Sequence, residues 1–116
     1  MHALDGTACT EKSVKDGDEI ARLVWHYDSG EEASPVFYGQ DVREWWWRPE
    51  QADGPTSSRS RVVWTGSNPV ASDKGCQLRL YLTTIENPRP QEVVQSLDYV
   101  SAMSESAPFL IAITVE

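Results

Sequence analysis

From Glu19 to Tyr27 the chain alternates, with Ala21, Leu23, Trp25 and Tyr27 on one side and Ile20, Arg22, Val24 and His26 on the other. Apolar side chains on both sides predict an inner strand of a sandwich. Asp28-Ser29-Gly30-Glu31 is turn chemistry, and the run Ala33 to Tyr38 after it makes the pair a β-hairpin. Pro35 cannot donate to a ladder, which places its position at an edge or bulge. Asp41 is positioned to cap one or two turns of helix through Trp46. Arg61 to Thr65 is a short strand, followed by turns at Ser67-Asn68-Pro69 and Ser72-Asp73-Lys74-Gly75. Cys76 to Ile85 has the cleanest period of two, with Leu78, Leu80 and Leu82 facing one way and Gln77, Arg79, Tyr81 and Thr83 the other. Glu92 to Ala102 suits a strand or a short helix equally. Phe109 to Val115 is β-branched and almost continuously apolar, which predicts a central strand. Residues 1–17 and 48–60 lack such periods and read as irregular or mobile.

Six or seven short strands, one helical turn and loops rich in Pro, Gly and Ser predict a single all-β domain over residues 1–116. The architecture expected is an antiparallel β-sandwich of jelly-roll type with one short helix.

Composition narrows the partners. The chain of 116 residues has a net charge of −8, which repels phosphate backbones and argues against nucleic acid. No apolar run approaches the roughly 20 residues of a membrane helix. The first residues, Met1-His2-Ala3-Leu4-Asp5-Gly6, lack the basic and apolar regions of a secretory signal, so the expected location is cytoplasmic, without a membrane partner. In that compartment Cys9 and Cys76 are expected as free thiols, with Cys76 a small buried hydrophobe. No Cys-x-x-Cys pair or His cluster accompanies them, and no metal or other cofactor is expected. Asp16-Gly17-Asp18-Glu19 resembles a fragment of a calcium loop but is too short to make one.

Three of the five tryptophans, Trp45, Trp46 and Trp47, are adjacent. Neighbouring residues cannot all face one core, so at least one indole is expected to meet solvent or a partner.

Several motifs resemble a bacterial domain family of uncharacterised activity. They are Tyr38-Gly39-Gln40-Asp41-Val42-Arg43 with Trp45-Trp46, Trp64-Thr65-Gly66-Ser67-Asn68-Pro69, and Leu78-Arg79-Leu80-Tyr81. Thr83-Thr84-Ile85-Glu86-Asn87-Pro88-Arg89-Pro90, Ser96-Leu97-Asp98 and Ala107-Pro108-Phe109-Leu110-Ile111-Ala112-Ile113-Thr114 complete the pattern. The resemblance implies a galactose-binding-domain-like β-sandwich, a fold that often carries carbohydrates. Two departures accompany it. The family's upstream strands are expected to be missing, leaving an open sheet edge for a second copy to cover. Ile85 stands where the pattern has Trp.

Sugar binding needs an aromatic face for the apolar side of a pyranose and polar groups for its hydroxyls. Asp41, Arg43, Trp45, Trp46 and Trp47 supply these types within seven residues, and Asn68 and Asn87 sit in loops that could join them. The competing reading has the tryptophans plugging one end of the sandwich, with Asp41 capping and Arg43 pairing locally. Carboxylate pairs such as Asp28 with Glu31 or Glu32, or Asp41 with Glu44, are available to a glycosidase, but hairpin-turn acids are usually solvated. No serine stands in a nucleophile elbow, His26 lies on a strand face, and neither cysteine has a protease motif around it. A non-catalytic binding domain is therefore expected, with carbohydrate as the ligand. The alternative is a homo-oligomerising interaction module, a homodimer or larger, that uses the tryptophans and an open edge.

Overall fold

The computed structural model describes residues 1–8, 13–48, 50 and 54–115. Cys9 lies outside them. The hairpin forms as expected: β2 (Glu19–Tyr27) and β3 (Gly30–Phe37) pair in register from Tyr27 opposite Gly30 to Arg22 opposite Pro35. Gly30 closes the turn at φ 138°, a conformation open to glycine and strained for side chains. Pro35 stands on the outer strand of its sheet, where its missing N–H leaves no ladder bond unmade. The other side of β2 pairs with β7 (Ser96–Ser101), so β2 is the middle strand, and the ambiguous stretch Glu92 to Ala102 holds a strand in its second half and no helix.

The second sheet corrects three expectations. First, His2–Ala8 is a strand, β1, within the segment expected to be irregular, and it lies between β6 (Gln77–Thr84) and β8 (Ala107–Thr114). The period of this stretch was obscured by Asp5 and Thr7, polar residues that alternate with Leu4 and Gly6 yet are fully buried. Second, β8 is an outer strand and not a central one. Its apolar run faces Ile113 inward while leaving Ile111 58% exposed. Third, Asp41 to Trp46 is no helix. The chain turns there and enters the two-residue strand β4 (Trp46–Trp47), paired with Leu78 and Gln77 of β6. The short helix is α1 (Pro69–Asp73), where a turn was expected. Asn68 caps it by accepting the Ala71 N–H at 2.7 Å, and Pro69 opens it. β5 (Ser60–Gly66) pairs with the far side of β6.

The result is mainly β: a five-stranded sheet of β5, β6, β1 and β8 with β4 alongside β6, packed on the three-stranded sheet β3-β2-β7. The pairings between these strands are antiparallel. Ile20, Ala21, Leu23, Trp25 and Tyr27 from β2 form the core with Val36, Val42, Tyr81 and Ile85. Ile85 is 2% exposed, so the side chain at this position is part of the core and does not stand on the surface.

A polar seam crosses the same interior. Thr83 Oγ1 donates to Asp5 at 3.2 Å, and the Tyr99 hydroxyl on β7 reaches across the sandwich to Asp5 at 3.4 Å. Ser60 Oγ lies 3.1 Å from Thr83 Oγ1 and donates to the Asp41 carbonyl. Burial raises the Asp5 carboxyl to about 7, with the charge of Asp41 adding to the effect and the Thr83 and Tyr99 hydroxyls opposing it.

Candidate ligand-binding surface

Register decides which side of the five-stranded sheet faces water. Tyr81 and Thr83 of β6 point into the sandwich, as do Ala3, Asp5 and Thr7 of β1. Leu78, Leu80, Leu82 and Thr84 therefore point outward, although a leucine-lined face would ordinarily be taken for the core face. Cross-strand partners share a face. His2 and Leu4, opposite Thr84 and Leu82, therefore lie outside, with Arg61 and Trp64 of β5 opposite Leu82 and Leu80. Phe109 is opposite Gly6, and a Cβ added to Gly6 would sit 2.7 Å from the Phe109 ring. None of these outward strand positions is acidic, in a chain of net charge −8. The outer face of the other sheet is a mixed one, where Arg22, His26, Glu31 and Asp98 share the surface and His26 bonds Asp98 at 2.8 Å.

The tryptophan run divides around β6. Trp46, opposite Leu78, packs with Trp45 on a small outer cluster of Ala71, Cys76 and Leu78. Trp45 meets Phe109 edge to face, centroids 5.4 Å apart, and Lys74 Nζ lies 5.6 Å over the Trp46 ring. Trp47, opposite Gln77, stacks instead against Arg79, whose guanidinium lies between it and Tyr81 at 5.9 and 5.4 Å. All three are half-buried. The most exposed indole is Trp64, at 46%, lying against Gly66, where a Cβ would collide with its ring. Sequence reasoning passed over Trp64 because it stands alone in a strand; its register opposite Leu80 is what turns it outward.

The polar partners expected around the tryptophans are engaged within the chain. Asp41 is 1% exposed, accepting the Phe37 N–H at 2.9 Å and two bonds from Arg59, from Nε at 2.8 Å and Nη2 at 2.7 Å. The bond to Asp41 holds the Arg59 guanidinium above its ordinary value. Arg43 forks onto Asp16 at 3.1 and 2.9 Å and donates Nε to the Gly54 carbonyl at 3.0 Å. Gly39 lets this happen, since a Cβ there would strike the Asp16 carboxylate. Asn68 is the cap of α1. Asn87 accepts the Tyr27 hydroxyl and the Arg89 N–H, the latter at 2.9 Å. Asn87 follows the end of β6, whereas Trp46 and Trp47 flank its start, so roughly 25 Å of strand separates them. The structure thus brings together Asp41 with Arg59, and Trp45 with Trp46, but not the seven residues into one site.

A trough lies at the other end of the outer face. One part, about 260 Å³, is lined by His2, Ser58, Arg59, Ser60, Arg61, Leu82 and Thr84. A second, about 490 Å³, shares Ser58, Arg59 and Thr84 and adds Ser34, Ile85 and Glu86. His2 Nδ1 is 2.8 Å from Thr84 Oγ1, and Ser34 Oγ accepts the Trp25 indole N–H at 3.0 Å.

Among the described residues no group of three or more His, Cys, Asp or Glu side chains is arranged to hold a metal, and no helix is long and apolar enough to cross a membrane. Comparison with protein-family models, with curated proteins and with solved structures finds no match to this chain.

Proposed function

We propose that this protein is a non-catalytic binding domain that associates with a second copy of itself through the outer face of its five-stranded sheet. The observation that carries the reading is the charge of that face. Its strand positions bear leucines, Phe109, Trp64, the His2 imidazole and the cation Arg61, and no carboxylate. Two molecules of net charge −8 repel one another over most approaches and least over this one. A twofold face-to-face pair covers Leu4, Leu80, Leu82 and Trp64 and needs about 800 Å² from each copy to be stable.

Pairing through the sheet edges is the less favoured arrangement. β5 carries a bulge between Val62 and Trp64, and β8 carries one where Ile111 is skipped between the partners of Leu4 and Asp5. Bulges at outer strands twist the edge away from a new partner. The cytoplasmic placement expected from the sequence belongs to this reading, as does kinship with galactose-binding-like jelly rolls, which favours carbohydrate as a ligand class by analogy.

Light scattering over a concentration series tests the proposal with the Trp64→Glu variant, whose side chain is already half in water. The wild-type chain should move between dimer and monomer and the variant should remain monomeric. A wild-type chain that is monomeric throughout overturns it.

A further inference from the structure

We infer that the trough beside Arg59 is a binding site for a carbohydrate bearing a carboxylate, such as a uronic-acid glycan. The Arg59 guanidinium is held rigidly but incompletely. Arg59 gives Nε and Nη2 to Asp41, and Nη2 also reaches the Pro35 carbonyl at 2.8 Å, while Nη1 bonds nothing among the described residues. Its side chain is 33% exposed and lines both parts of the trough. A donor fixed in advance loses little freedom when it binds an acceptor, and Asp41 does the fixing from the core.

The neighbours match a polyol. Ser58 and Ser34 supply hydroxyls, Thr84 adds one beside the His2 imidazole, and Glu86 supplies a carboxylate to accept sugar hydroxyls. Leu82 gives an apolar wall for ring carbons. The preference for an acidic sugar comes from Arg61. Arg22, Arg43, Arg59 and Arg89 each pair with a carboxylate, whereas Arg61 has no hydrogen-bond or ion-pair partner among the described residues. An unpaired cation at the trough wall, in a chain with 18 acidic residues, is available for an anion brought by the ligand.

The trough shares His2, Arg61 and Leu82 with the face proposed for self-association, so each titration is run on the monomeric Trp64→Glu variant as well as on the wild type. Amide chemical shifts of the full chain are followed during titration with trigalacturonic acid, with galactotriose and with sodium sulfate. The expected result is saturable shifts for residues 58–61 and 84–86 with trigalacturonic acid, at a dissociation constant on the order of 1 mM or tighter. Galactotriose should bind at least about tenfold more weakly, and sulfate should not reproduce the shifts at Glu86. Arg61→Gln, a surface change with no bond to break, should weaken trigalacturonic acid about tenfold and leave galactotriose unchanged. The monomeric Trp64→Glu variant should bind at least as tightly as the wild type, because self-association covers the Leu82 wall of the trough. Equal binding of the neutral sugar, the same shifts with sulfate alone, or no shifts in the trough with any probe overturns the inference.

Discussion

Tyr99 on β7 donates its hydroxyl to Asp5 on β1 across the interior, 3.4 Å away, so one sheet supplies a proton donor to a carboxyl buried on the other. Burial first, and then the charge of Asp5, push the Tyr99 phenol up, so it stays a donor over the whole working range of pH. Asp5 itself titrates near 7 in the folded chain against 3.8 when exposed. Between those values the folded state binds the extra proton, so stability contributed by this carboxyl is full at acid pH and declines as pH rises toward 7. Asp5→Asn should remove that decline. The difference in unfolding free energy between variant and wild type should grow with pH by up to about 1.4 kcal/mol per unit and level off above 7. Urea titrations from pH 4 to pH 8 measure it, and a pH-independent difference would show that Asp5 is not protonated in the folded chain.

Asp41 holds Arg59 from the core, and Asp41→Ala leaves that guanidinium with no carboxylate partner in a half-buried place. The expected loss is about 3 kcal/mol or more, because a broken buried pair keeps the desolvation of its surviving partner. Denaturant unfolding should show this, and the shape of the trough should change with it, visible as altered amide shifts at Ser58 and Thr84.

Gly6 lies beneath the Phe109 ring, which in turn meets Trp45 edge to face. Gly6→Ala requires the ring to move, at an expected loss of about 1–3 kcal/mol. The same displacement reaches the Trp45 indole, so the near-ultraviolet dichroism should change together with the melting temperature. A stable variant with an unaltered spectrum would mean that the outer face is looser than its packing indicates.

Asn68 caps α1 and does not face the trough. Asn68→Ala should lower stability by about 1 kcal/mol and leave trigalacturonic acid affinity as it was. Affinity lost while stability holds would return Asn68 to a ligand-contacting role.

Some of this protein is legible in its order of residues. The Asp28-Ser29-Gly30 turn and the alternation on either side of it fix the β2–β3 hairpin, because both are local. Pro35 rules out an inner strand there for want of one N–H. Three consecutive indoles cannot share a face, and Trp47 does part from Trp45 and Trp46. The Asn68-Pro69 pair also carried a readable signal, a cap followed by the residue best suited to open a helix. Other features depend on partners distant in the chain. The period of two in β6 defines two faces but not which one is inside. That choice shows in Tyr81, which joins the core with β2, and in Thr83, which meets the buried Asp5 carboxyl, and it turned the leucines outward. Asp5 lies in a segment expected to be irregular, and it is Thr83 and Tyr99, 78 and 94 residues away, that meet it in the interior. Arg59 stood in a featureless loop until Asp41 gave it an anchor and a direction. Alternation is set by adjacent residues, whereas burial and charge pairing are set by whatever the completed sheets place opposite them.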